Sequence, residues 1–171
     1  MSQMTAQRDD IDVGRLVAGA AKTMQSARYC WLATATETGA PHVRPMGRLP
    51  VDPGEDEWTI RFVTDGRSRK AADLRRANEV TILFEHDPDL AYVTLIGKAT
   101  LHDSASEVRE RWKRAYDVYF PTETDRANAV FLEIKAERME LWIRGVTPEP
   151  FGLRPTVLER DPGEAWRSAR T

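Results

Sequence analysis

The sequence predicts a mainly β protein, a small antiparallel barrel with flanking helices. Short runs rich in Val, Ile, Thr and aromatic residues recur between residues 29 and 143, separated by turns containing Gly, Pro, Asn or Asp. Such a meander exposes two strand edges unless it closes on itself, and closure removes them. Ahead of it, residues 11–24 place Ile11, Val13, Leu16, Val17, Ala20 and Met24 at the helical period, which gives an amphipathic helix to pack on the sheet.

The elements follow in order. Residues 29–36 read as a strand by their aromatic and Thr content, 37–40 as a Gly-containing turn, and 41–49 as the second strand of a hairpin. On that second strand His42, Arg44, Met46 and Arg48 share one face. Pro45 cannot donate to a ladder and Gly47 has no side chain, so this stretch is either an edge or bulge approached closely by something else, or a strand running untidily into the loop 50–56. Residues 58–64 form a third strand, and a helix follows from Ser68 to about Ala77, with Asn78 suited to a left-handed end. Residues 80–85 and 90–101 are the fourth and fifth strands, with a bulge at Gly97. Ser104 and Glu107 have capping-box spacing, and Val108, Trp112, Ala115, Tyr116 and Tyr119 continue as a helix with an aromatic stripe, which Phe120 and Pro121 end. Residues 130–136 and 139–143 are a sixth and a seventh strand, joined through Glu137 and Arg138. We expect one folded domain over residues 1–145. Residues 146–171, with Pro148, Pro150, Pro155 and Pro162 among charges, read as a tail that frays or lies along a partner subunit.

Composition narrows the functional classes. A chain of 171 residues, 41% hydrophobic and 30% charged, builds one substantial core. No apolar run approaches the roughly 20 residues of a membrane span, and residues 1–10 lack an apolar leader, so a cytoplasmic protein is expected. Cys30 is the sole cysteine, which rules out an intrachain disulfide and a thiolate metal cluster within one chain. The net charge of −2 argues against a broad nucleic-acid surface. Positive charge is instead local: Arg67, Arg69, Lys70, Arg75 and Arg76 cluster, opposed there only by Asp73.

That cluster points to a small anion. Phe62, Val63 and Thr64 run out into a turn at Asp65 and Gly66, which delivers Ser68, Arg69 and Lys70 to the first turn of the helix. A helix start offers unbonded N–H groups and the positive end of the dipole, Ser68 offers a hydroxyl, and two cations can neutralise a phosphate dianion. The same residues also suit an ordinary Ser N-cap followed by solvated cations, and both readings stand at this stage. The familiar catalytic patterns are missing: there is no G-x-x-x-x-G-K-S/T loop, no G-x-G-x-x-G after a strand, no H-E-x-x-H and no G-x-S-x-G. His42, His86 and His102 fall on separate elements, as surface or hydrogen-bonded histidines do. If the chain is an enzyme, a bound cofactor carries the reaction and the protein supplies position and electrostatics.

Several stretches together resemble the FMN-binding split-barrel proteins. These are Trp31, Leu32, Ala33, Thr34; Gly39 through to Arg44, Pro45, Met46; Phe62, Val63, Thr64; Ser68, Arg69, Lys70; Gly97, Lys98, Ala99; Trp112; Tyr119, Phe120, Pro121; and Glu140, Leu141, Trp142. Among them the chain is most similar to the general stress protein 26 branch of the pyridoxamine 5'-phosphate oxidase-like group, over about residues 12 to 143. The resemblance implies a six- or seven-stranded antiparallel split β-barrel and a homodimer with FMN at the subunit interface. It implies that Arg44, Ser68, Arg69 and Lys70 meet the FMN phosphate, and that the backbone of Pro45, Met46, Phe62, Val63 and Thr64 borders the ring. Trp142 matches a family tryptophan with either a packing role or a contact to the partner's flavin. A flavin-dependent oxidoreductase acting on a small molecule is the expected function, with a FAD or deazaflavin enzyme, or a non-catalytic flavin-binding stress or storage protein, as alternatives. Pyridoxamine phosphate oxidases proper end in an Arg-Leu-His-x-Arg stretch; this chain reads Phe151, Gly152, Leu153, Arg154, Pro155, without the histidine, which puts that activity in doubt.

Overall fold

The computed structural model describes residues 12–169. Helix α1 (Val13–Ser26) starts on Asp12, whose side chain accepts the Arg15 N–H at 3.0 Å, and buries Leu16, Ala20 and Met24 against the sheet. The strands are β1 (Cys30–Thr34), β2 (His42–Met46), β3 (Thr59–Asp65), β4 (Glu79–His86), β5 (Ala91–His102), β6 (Ala129–Ile143), β7 (Thr156–Glu159) and β8 (Arg167–Ser168). All pair antiparallel in the order β2-β1-β4-β5-β6-β7-β8, and β3 joins beside the first half of β6. Helices α2 (Arg69–Arg76), α3 (Ala105–Arg111) and α4 (Glu123–Ala127) lie in the connections.

The mainly β antiparallel expectation holds; closure is only partial. β2 and β3 share no ladder. Their seam is crossed where the Leu49 N–H donates to the Arg61 carbonyl at 2.8 Å, so the sheet curls toward a barrel and stays split there. Inside it, Leu32, Phe62, Ile82, Leu95, Leu132 and Leu141 have essentially no exposed surface. At roughly 1.5–3 kcal/mol for each fully buried large apolar side chain, this core dominates the favourable side of folding.

The two strands expected at 130–136 and 139–143 are one. β6 continues without a turn and pairs with β5 from Phe131 to Ile143, with a register shift where Ile96 faces Arg138 and Gly97 faces Ala136. Glu137 is therefore the extra residue of a bulge, so the bulge expected at Gly97 lies on the strand opposite it. One inserted residue reverses which parity faces inward. Leu132, Ile134 and Ala136 are buried before the bulge and Met139, Leu141 and Ile143 after it.

Other boundaries move for local reasons. The helix expected from Ser104 to about Tyr119 ends at Arg111; Trp112 and Lys113 are extended, and a 3-10 turn follows at Arg114–Val118. Trp112 still gathers Tyr116, Phe120 and Phe131 edge-on, at centroid distances of 5.8, 5.6 and 6.3 Å. The short α4 was not expected, although Thr122 and Asp125 form a capping box. Asn78 does not end α2 in a left-handed conformation, because Ala77 is already extended.

The expectation of a fraying tail is corrected for the described residues. β7 pairs with the second half of β6, and Leu158 is fully buried. Arg160, only 5% exposed, donates to the Ala136 carbonyl at 2.9 Å, pairs with Asp56 at 2.6 Å and lies over the Trp166 ring, which packs edge-on to Trp58.

Candidate functional site: a cationic cup and the cavity beside it

The site begins where β3 gives way to α2. Gly66 is required by close packing, since a Cβ there would stand 2.8 Å from a Val130 methyl, and its N–H donates to the Asn128 carbonyl at 2.7 Å. Asp65 clamps the turn. Its carboxylate accepts the Arg67 N–H at 2.8 Å and pairs with the Arg67 guanidinium at 2.6 Å, which holds its pKa at about 2 against the upward push of desolvation. Ser68 then caps α2, its hydroxyl accepting the Ala71 N–H at a long 3.4 Å. The helix itself cannot bond the N–H groups of Arg69 and Lys70, so they remain as donors at its positive end.

Arg44 reaches this end from β2. Its Nη1 donates to the Leu32 carbonyl at 3.2 Å and to the Thr34 hydroxyl at 2.8 Å. Its Nη2 is buried and has no hydrogen-bond partner among the described residues. Burial lowers the Arg44 pKa, as does the charge of Arg69, against the pull of Asp73. Burial likewise lowers that of Lys70, with Arg44 adding to it and Asp65 opposing. Three cations and a buried donor that makes no hydrogen bond stand together at a helix start, a cup whose repulsion an anion would relieve.

Beside it lies a cavity of about 720 Å³. Pro45, Met46, Val63 and Thr64 line it together with Tyr116, Tyr119, Phe120 and the exposed Tyr29. Of the ten residues singled out from the sequence, Arg44, Arg69 and Lys70 gather electrostatically at the cup that Ser68 caps, while Pro45, Met46, Val63 and Thr64 face this cavity. Phe62 is fully buried in the core, so only its backbone can border a ligand there. Trp142 stands elsewhere, opposite Tyr92; it is 13 residues along β6 from Ala129, the partner of Asp65, or roughly 40 Å of strand.

Sequence reasoning missed the support behind the cup. Asp73, 4% exposed on α2, accepts from the Thr34 hydroxyl and from His42 Nδ1, both at 2.8 Å, and lies 3.6 Å from Arg44 Nη2 and 3.7 Å from Arg76. Desolvation pushes its carboxyl up, yet hydrogen bonds from His42 and Thr34 and the charges of His42 and Arg76 outweigh it and hold the pKa below the usual range. The signal was its place as the one acid within the basic run. His86 and His102 also have carboxylate partners, Asp89 at 3.2 Å and Glu107 at 3.0 Å.

A curled antiparallel sheet, split along one seam and carrying a cationic cup at a strand-to-helix turn, defines a split-barrel protein. The family profile for pyridoxamine 5'-phosphate oxidase matches residues 18–143, and the chain belongs to that family. The fold is similar to that of a protein related to general stress protein 26, of the pyridoxinephosphate oxidase family, from Clostridium acetobutylicum (19% identity, 87% of this chain and 96% of that one, TM-score 0.67). It is also similar to that of a pyridoxamine 5'-phosphate oxidase-related, FMN-binding protein from Nostoc punctiforme (18% identity, 90% and 94%, TM-score 0.64). An F420 reductase shares it more distantly (18% identity, 71% and 95%, TM-score 0.52). No curated protein matches the chain in sequence. At these identities the structural likenesses establish the fold.

Proposed function

We propose that the chain is a homodimeric FMN protein that exchanges electrons with a small molecule. The observation that carries this reading is Arg44 Nη2, a buried charged donor that makes no hydrogen bond and has only the Asp73 carboxylate 3.6 Å away, set beside Arg69 and Lys70 at the start of α2. Arg44, Ser68, Arg69 and Lys70 would hold the phosphate. Pro45, Met46, Val63 and Thr64, with the Phe62 backbone, would border the ring and exclude water from it. The bound flavin supplies two-electron redox chemistry of its own, so no side-chain acid or base is required.

The outer face of the sheet supports the dimer. Trp31 is 42% and Val43 54% exposed; Trp31 faces Pro45 across one ladder and Leu83 across the other, and Tyr92 faces Trp142 on the same sheet. Exposed aromatic and aliphatic side chains of this kind, with Glu85 among them accepting the Trp31 indole N–H at 3.3 Å, suit a second copy of the chain. No helix among the described residues is long and apolar enough to cross a membrane, and a cytoplasmic setting suits the free, buried Cys30.

The test is the visible spectrum of the purified protein, the mass of the chromophore it releases and the molecular mass in solution. Flavin absorbance, the mass of FMN and a dimer are expected; a colourless protein that takes up no added FMN overturns the reading. The F420 reductase with the same fold keeps a deazaflavin open as the cofactor, and FAD also carries phosphate; chromophore mass separates all three. Bound flavin that dithionite reduces and neither NADH nor NADPH reduces would make the chain a flavin store.

A further inference from the structure

We infer that Asp73 is a positioning residue for the phosphate grip, its buried carboxylate setting the orientation of Arg44 relative to the start of α2. This rests on the FMN reading above. One oxygen, Asp73 Oδ2, is the common acceptor for the loop end of the β1–β2 hairpin. Thr34 and His42, paired across that hairpin, each reach it at 2.8 Å, and Arg44 Nη2 stands 3.6 Å away. Thr34 works in both directions, donating to Asp73 while accepting from Arg44 Nη1 at 2.8 Å. Asp73 is one helical turn beyond Ser68 and Arg69, on the helix whose first turn forms the cup. A single carboxylate therefore couples both halves of the site, the β2 arginine and the α2 N-terminus. It does so without occupying Arg44 Nη2 in a hydrogen bond, which leaves that donor for the ligand.

Electrostatics alone makes the opposite prediction. A buried negative charge near a phosphate dianion opposes its binding, so removing the charge should tighten FMN if Asp73 acted only through its field. If it acts by holding Arg44 in place, removing it loosens FMN, because a guanidinium free to swing delivers its charge-assisted bonds poorly. The sign of the effect separates the two.

The experiment titrates flavin-free wild-type, Asp73→Asn, Asp73→Glu and Thr34→Val protein with FMN and with riboflavin, which lacks the phosphate, and records melting temperature alongside. Expected is a loss of FMN affinity on the order of tenfold in Asp73→Asn with riboflavin affinity unchanged. Thr34→Val, isosteric and gentler on folding, should lose in the same direction, about threefold. Asp73→Glu should recover part of the loss. Tighter or unchanged FMN binding in Asp73→Asn overturns the inference, and so does an equal loss for both flavins, which marks a purely structural role. Should Asp73→Asn fail to fold, Thr34→Val decides by the same criteria. Wild-type protein that does not prefer FMN to riboflavin overturns the FMN reading itself, and this inference with it.

Discussion

Gly97 on β5 lies against the Lys135 carbonyl of β6 so closely that a Cβ there would collide with the oxygen and stand 2.9 Å from the carbon. The obstacle is backbone, which cannot swing aside, and it sits beside the bulge at Glu137 that bends β6. Gly97→Ala is therefore expected to cost about 3 kcal/mol of stability, through displaced strands and not through a lost side chain. Urea denaturation measures it; a change within 0.5 kcal/mol, the usual range for a surface substitution, would contradict the packing described.

Arg44 is the most consequential member of the cup. Arg44→Ala removes a charged donor and leaves Asp73 short of one neighbouring cation, so FMN affinity should fall by 10- to 100-fold, as expected for losing one or two charge-assisted hydrogen bonds. Riboflavin affinity should change far less. Arg44→Lys keeps the charge without the fork that reaches Leu32 and Thr34 while pointing a second nitrogen outward, and should restore only part of the loss. Fluorescence titration reads both.

Arg160 fastens the last strands to the barrel. Its guanidinium is almost wholly buried and pairs with Asp56, which burial pushes toward a higher pKa but Arg160, Trp58 and Thr59 together hold below the usual carboxylate range. Arg160→Ala leaves that carboxylate half-buried and unpaired and takes away the cation over Trp166. A loss of about 3 kcal/mol is expected, visible as a drop of several degrees in melting temperature. A variant as stable as wild type would mean that the Arg160–Asp56 pair does not fasten this segment.

Acid should destabilise the fold through surface carboxylates. Hydrogen bonds from His102 and then Ser104 hold Glu107 at about 2, and those from Arg67 hold Asp65 at about 2. Folded, both carboxyls release their protons more readily than in the unfolded chain, so the unfolded state binds more protons as the pH falls and stability falls with it. Their contribution is complete above the ordinary carboxylate pKa of about 4 and disappears as the pH drops through about 2. Melting temperature followed from pH 6 to pH 2 should show this decline, and Glu107→Gln should flatten it.

What could be read from the residues, and what could not, is clearest on β6. Leu132, Ile134 and Ala136 alternate on even positions and Met139, Leu141 and Ile143 on odd ones, and a change of parity reads equally as a turn between two strands or a bulge within one. Only the pairing with β5 decides it, because an unbroken ladder on the far side leaves no room for a turn. Arg160 was illegible for another reason. A charged residue among prolines and acids reads as solvated, and its burial depends on Asp56, more than a hundred positions earlier.

At the site, Ser68, Arg69, Lys70 and Arg44 could be singled out locally, because a cap followed by cations, and an arginine beside a proline on an edge strand, are short-range patterns. The sequence by itself determined the β-rich class, the strand-to-helix turn and the basic cluster that follows it, since hydrophobic period, turn chemistry and charge clustering all act within a few residues. Only the tertiary structure decided that Asp73 stands behind Arg44, that the seam between β2 and β3 is bridged at Leu49 and Arg61 without a ladder, and that the last strands add to β6 and fasten to Asp56 and Trp58. Those are contacts between residues far apart in the chain, and the strength of a buried charge or a close backbone approach is set by what surrounds it in space.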